Sequence, residues 1–278
     1  MAEKEAGAPS PADISYPPPS GTPLGITPWF RFGAFFLRPL LFALAKRDWR
    51  GVENIPKSGP IICISNHISY LDPLVFAHFL HDNGRAPRFL GKAELFRIPF
   101  IGTVLRGAGQ VPVERESANA RQAFEHAIAF LKAGHLLGVY PEGTLTRDPE
   151  IWPMKAKSGV ARLAIMTKTK VVPCAQWGAQ DVLPTYGRKL SLFPRKTFYV
   201  WAGEPLDFSK WYGREDDPAA IREATDFVMD ALTVLLEQIR GEKAPALRFD
   251  PATSEHPRIG NYKKESKKSK KNRRKQGA

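Results

Sequence analysis

Residues Ile61–Pro73 read IICISNHISYLDP, and this stretch decides the class of the fold. Ile61–Ser65 is a short apolar run without polar alternation, as in a strand buried on both faces. The run ends at Asn66-His67. Asp72-Pro73 then opens a helix, with Asp72 placed as its cap and proline in the first turn. A buried strand that hands the chain through a polar loop to a helix is the repeating step of an α/β protein.

The same alternation continues outward. Further buried strands are expected at Arg88–Gly91, Gln110–Val113, Leu136–Tyr140, Val171–Ala175 and Phe198–Ala202. Apolar positions recur at helical spacing over 117–133, stopping at Gly134, and again over 159–169. Asp217-Pro218 opens the clearest helix, whose stripe of Ile221, Ala224, Val228, Leu232 and Leu235 is closed by Gly241. The pattern predicts an α/β fold, a sheet flanked by helices.

Chemistry concentrates where these strands end. His67 and Asp72 are five residues apart, about 140° around an ideal helix, so within one helix they would point away from each other. Across a loop they can meet, as a base (His67) and a carboxylate that fixes its tautomer (Asp72). A plain helix cap and a hydrogen-bonded loop histidine are the simpler readings of the same residues. Val139–Asp148, VYPEGTLTRD, also leaves a buried strand. Gly143 permits a tight turn there that would converge Glu142 and Thr144 on a ligand, although a glutamate so placed can equally make a structural ion pair. Lys92 and Arg115 stand at other strand ends, where cations suit a phosphate or simply face water.

The 278 residues carry 41 Lys plus Arg against 28 Asp plus Glu, a formal charge of +13. Nine of those cations and one acid lie between Lys263 and Lys275, so the rest of the chain is only mildly basic. A basic tail binds phosphate backbones non-specifically, which keeps a nucleic-acid-binding protein as a reading from another class. The body, however, holds no recognised nucleic-acid module, and the tail fits anionic lipid equally. Cys63 and Cys174 each sit in an apolar run and are expected as reduced core residues. No histidine forms a metal-ligand pattern with nearby Cys, Asp or Glu, so no metal site is expected.

Seven of the 25 prolines fall within the first 28 residues, which reads as a mobile arm. Residues 1–24 are acidic, small and proline-rich, unlike a secretory leader. Trp29–Ala45, WFRFGAFFLRPLLFALA, is shorter than the ~20 apolar residues a membrane span requires and carries Arg31, Arg38 and Pro39. It fits a helix lying in a membrane surface, rings in the acyl boundary and guanidinium groups at lipid phosphates. A buried helix is the other reading. The expected organisation is therefore an arm over 1–27, a membrane-surface helix over 28–50, a catalytic domain over 51–241 and a disordered basic tail over 242–278.

Taken in order, the motifs resemble those of the glycerolipid acyltransferases. Asn66–Asp72 matches their NHxxxxD block, and Gly91–Gly102 (GKAELFRIPFIG) resembles the stretch that follows it. Val111–Arg115 is similar to the second block, Tyr140–Thr144 to the PEGT block, and Val171–Ala175 to the short apolar fourth block. The resemblance, to the 1-acyl-sn-glycerol-3-phosphate acyltransferases, covers roughly residues 51–205. It implies a mixed, mostly parallel sheet flanked by helices, and transfer of an acyl chain from a thioester to a lysophospholipid hydroxyl. His67 would be the base and Asp72 its orienter. Arg115 and Lys92 would hold the acceptor phosphate, with Glu142, Gly143 and Thr144 shaping the acceptor pocket and supplying loop amides. No cofactor is implied beyond the co-substrate, acyl-CoA or acyl-carrier protein. The cytoplasmic face of an anionic membrane is the implied location.

One departure stands out. The third block usually runs PEGT-R-S, whereas here Leu145 follows Thr144 and the arginine comes at Arg147. Lys157, in a K-x-G pattern, is a further candidate anion contact. Glycerol 3-phosphate or another lysolipid remains an alternative acceptor, and a catalytically inert membrane scaffold an alternative role.

Overall fold

The computed structural model describes residues 16–113 and 117–253. Seven strands form one sheet: β1 (Ala45–Arg50), β2 (Ile61–Ile64), β3 (Pro87–Lys92), β4 (Val111–Val113), β5 (Leu136–Val139), β6 (Val171–Trp177) and β7 (Lys196–Ala202). Their order across the sheet is β1-β7-β6-β2-β5-β3-β4. Every pairing is parallel except β6 with β7. The sheet is mixed and mostly parallel, as the motifs implied. The helices are α1 (Pro28–Leu44), α2 (Asp72–Asp82), α3 (Ala93–Phe96), α4 (Ile101–Gly107), α5 (Ser117–Lys132), α6 (Gly159–Thr167), α7 (Ala179–Val182) and α8 (Pro218–Arg240).

The continuous apolar runs follow from burial of both faces. Ile62, Ile64, Leu137 and Val171 point to one face, under α5, α6 and α8. Ile61, Cys63, Leu136, Val172 and Cys174 point to the other, against Phe76 and Phe79 of α2 and Leu41 of α1. Both cysteines are free and buried. Asp217 accepts from the amides of Ala219 and Ala220 to start α8, and Gly241 closes it in the left-handed region. In β5, Gly138 makes room for Phe89, whose ring would lie 2.2 Å from any Cβ there.

Three stretches differ from expectation. The helix expected over 28–50 stops at Leu44, and Ala45–Arg50 becomes edge strand β1, paired with β7 from Ala45↔Lys196 to Arg50↔Trp201. Its charged sequence, AKRDWR, suits an edge strand that keeps polar groups in water. The proline-rich arm is docked from Tyr16 onward. Leu24 bonds Gly84 and Ala86 through its backbone, His135 pairs with Pro17 O, and buried Arg88 donates to Gly25 O. A buried guanidinium needs acceptors, and Gly25 O of the arm supplies one beside Ala108 O. Residues 242–253 also fold back: Lys155 N donates to Phe249 O, Lys155 Nζ meets Asp250, and Arg248 pairs with Asp230. The Lys263–Lys275 run lies outside the described residues.

Among the described residues, no helix is long and apolar enough to cross a membrane. On α1 only Leu41 is buried, while Phe35 (73% exposed), Phe36 (58%) and Leu40 (53%) face outward. Arg38 does not stand free for lipid phosphate. It pairs with Asp82 at the end of α2 (2.8 Å), which Arg47 also reaches (2.9 Å). Burial pushes the Asp82 carboxyl up, but His78, His81 and Arg38 outweigh it and hold its pKa well below the usual range.

Candidate active site

Strands β2, β5, β6 and β3 all finish at one end of the sheet, the end where parallel α/β proteins bind ligands. His67 leaves β2 there. Its Nδ1 lies 2.9 Å from Asp72 Oδ2, which leaves Nε2 as the outer nitrogen of a ring that is 15% exposed. Asp72 is fully buried. It does not cap α2, because Leu71 holds that position and Asp72 is the first helical residue. Its Oδ2 turns back instead and accepts from the amides of Ile68 (2.5 Å) and Ser69 (2.7 Å). One oxygen thus fixes both the imidazole and the loop that carries it. Burial raises the Asp72 pKa, with the His67 hydrogen bond and the two amides opposing it.

Glu142 faces inward rather than toward an acceptor pocket. It is buried, with Oε1 accepting from His67 N (3.1 Å) and Oε2 from Met154 N (3.1 Å). Burial lifts its pKa to about 8, helped by the Asp72 charge and opposed by those two amides. The Gly143 amide is likewise committed, donating to Tyr140 O (2.9 Å), and Thr146 N donates to His67 O (2.7 Å). These amides hold the His67 loop against the PEGT turn; they are not open donors for a ligand.

Two residues assigned no role from the sequence also fix the site. Tyr140 stacks on the His67 ring, centroids 4.4 Å apart and planes 28° from parallel. Gln176, at the end of β6, holds Asn66 three ways: its N–H donates to Asn66 Oδ1, its carbonyl accepts from Asn66 Nδ2, and its Nε2 donates to Asn66 O. A polar residue closing an otherwise buried strand was the available sign for Gln176. Ser69 Oγ donates to Leu183 O and Thr185 Oγ1 to Ile68 O, which ties the loop to the segment after α7.

The candidate cations are distributed unevenly. Lys157 runs across the Gly143 turn: a Cβ on Gly143 would lie 3.4 Å from its Nζ, and Gly143 has φ +70°. Lys157 is exposed, and Thr144 beside it is half-buried. Lys92 ends β3 at the same end of the sheet and pairs with Glu94 (2.9 Å). Arg147 is buried rather than displayed at the surface. Leu145 is buried as well, and its carbonyl accepts from the Tyr186 hydroxyl (2.9 Å). Arg115 lies outside the described residues.

Residues 46–177 match the family model described as Acyltransferase. The chain is 31% identical over 147 residues to the chloroplastic 1-acyl-sn-glycerol-3-phosphate acyltransferase BAT2 of Brassica napus, covering 52% of this chain and 41% of that one. It is 37% identical over 136 residues to the 1-acyl-sn-glycerol-3-phosphate acyltransferase of Borreliella burgdorferi, covering 47% and 51%. The chain therefore spans about half or less of the length of these relatives. The crystal structure of the 1-acyl-sn-glycerophosphate (LPA) acyltransferase PlsC from Thermotoga maritima superposes with a TM-score of 0.60 at 24% identity, over 78% of this chain and 81% of that one, and the two share a fold. The NHxxxxD and PEGT blocks and the mixed sheet agree with these matches: over residues 46–177 the chain is similar to the acyltransferase family.

Proposed function

We propose that this protein transfers a fatty acyl chain from an acyl thioester to the sn-2 hydroxyl of lysophosphatidic acid, giving phosphatidic acid. The observation that carries the reading is the locked His67–Asp72 pair, 2.9 Å apart at the ligand-binding end of the sheet, with Nε2 facing outward. The hydroxyl oxygen attacks the thioester carbonyl carbon as its proton passes to Nε2, and Asp72 supports the imidazolium that forms. Collapse of the tetrahedral adduct breaks the C–S bond, and the leaving thiolate takes the proton from His67. No bound cofactor takes part. The donor is acyl-CoA or acyl-carrier protein, both of which present such a thioester.

Lys157, crossing the turn beside Thr144, is the cation best placed for the acceptor phosphate, with Lys92 and Arg115 as further contacts. The exposed aromatic face of α1 supports attachment to the cytoplasmic face of a membrane, where a lysolipid resides. The test is acyl transfer by purified protein from palmitoyl- and oleoyl-CoA, with lysophosphatidic acid and glycerol 3-phosphate as competing acceptors. Phosphatidic acid as the main product is expected. Acylation of glycerol 3-phosphate alone would overturn the acceptor assignment.

A further inference from the structure

The segment Arg188–Lys196 reads RKLSLFPRK and joins α7 to β7. Residues 188–195 are exposed throughout, Leu190 by 57% and Phe193 by 87%. A loop meant for water does not place a phenylalanine at such exposure beside two leucines. Its polar residues are of one sign: from Leu183 to Gly203 there are four cations, Arg188, Lys189, Arg195 and Lys196, and no acid.

The sheet topology says where this loop sits. Strand β7 runs antiparallel to β6, and β1 runs parallel to β7. The N-terminal ends of β1 and β7 therefore lie at the same end of the sheet as the C-terminal ends of β2, β5 and β6. That end carries His67, the loop before β7, and the last turn of α1 before β1. Arg195 ties loop to helix by donating to the carbonyls of Phe42 and Ala45. Just before the segment, Leu183 and Thr185 bond the catalytic loop.

From this we infer that Arg188–Lys196 is a second membrane contact, a wedge that puts Leu190, Leu192 and Phe193 into the interface of an anionic bilayer while its flanking cations meet lipid phosphates. The inference rests on the membrane attachment proposed for α1. It adds a function: the last turn of α1 and the wedge, tied together through Arg195, both lie at the His67 end of the sheet, so seating the protein aims the catalytic loop at the lipid surface. Basic flanks around an apolar tip match an anionic bilayer, since each cation near such a surface contributes about fivefold in affinity.

The test uses the full chain and vesicles of phosphatidylcholine with or without phosphatidylglycerol. Both native thiols are buried, so a Phe193→Cys variant accepts an environment-sensitive fluorophore selectively. Its emission should shift to the blue with phosphatidylglycerol vesicles and be quenched by brominated acyl chains. In flotation, Phe193→Ser should bind about tenfold more weakly. Arg188→Gln with Lys189→Gln should lose about 25-fold, only on the anionic vesicles. Wild-type protein that floats while the probe stays unchanged and the loop variants bind normally would overturn the wedge and leave α1 attachment standing. Wild-type protein that does not float would overturn both. A blue shift that depends on protein concentration without vesicles would assign the loop to self-association and overturn the inference.

Discussion

Replacing Glu142 with glutamine separates two roles of one buried side chain. In the wild type its two oxygens each accept a backbone N–H, from His67 and from Met154. Glutamine offers one carbonyl, so one of those amides must face an NH2 group, at a cost of about 1–3 kcal/mol that does not change with pH. The second effect does change with pH. The Glu142 pKa is raised from its usual 4.5 to about 8, which at about 1.4 kcal/mol per unit corresponds to roughly 5 kcal/mol. Because the folded-state pKa is raised, the folded protein holds this proton more tightly than the unfolded chain does. The stabilisation is therefore complete below the unfolded value and is lost as pH rises through about 8. Other carboxylates shift stability too, so the quantity to follow is the difference between wild type and Glu142→Gln. Urea denaturation of both proteins across about pH 5 to pH 8 should show the wild type's advantage shrinking by several kcal/mol. A difference constant to within about 0.5 kcal/mol over that range would refute the buried, raised carboxyl.

Other perturbations test the rest of the site. Asp72→Asn keeps an acceptor for the amides of Ile68 and Ser69 but removes the charge beside His67, and steady-state assays should show kcat lower by about 10²–10⁴-fold. Tyr140→Leu removes the ring stacked on His67 and should lower kcat about tenfold, while Tyr140→Phe should stay within about twofold, because the aromatic face is what touches the imidazole. Asp82→Asn leaves Arg38 and Arg47 without their shared carboxylate and should lower stability by about 2 kcal/mol in denaturation, with faster proteolysis within α1.

The fold was largely legible because its central strands are buried on both faces. Runs such as IICI and VVPCA need no partner to be recognised, and the proline and glycine at the ends of α8 mark it unaided. Strand β1 was not legible. AKRDWR has neither alternation nor an apolar run, and it becomes a strand only because β7 offers an edge. The ordering of residues 16–27 was hidden for a similar reason: it depends on buried Arg88 and on His135, distant in sequence, which need the arm's carbonyls.

At the site, His67 and Asp72 could be singled out from residue chemistry and spacing, but their geometry could not. Asp72 reads as a helix cap, yet it turns its oxygen to the preceding loop, because that loop's amides and the imidazole offer three donors at once. Glu142 reads as a ligand contact, yet it is drawn inward by two orphan amides. Tyr140 and Gln176 act through stacking and backbone bonds, which leave little trace in residue type alone. Leu145 interrupts a familiar pattern; its side chain is buried and its carbonyl accepts from the Tyr186 hydroxyl.

The proposed reaction stands on His67 as the base. The most direct measurement is the rate of phosphatidic acid formation from acyl-CoA and lysophosphatidic acid by His67→Ala, set against wild type, with thermal unfolding of both to establish that the variant is folded. A His67→Ala protein that unfolds with the same cooperativity should lose at least about 10²-fold in rate. Turnover near the wild-type rate would contradict it.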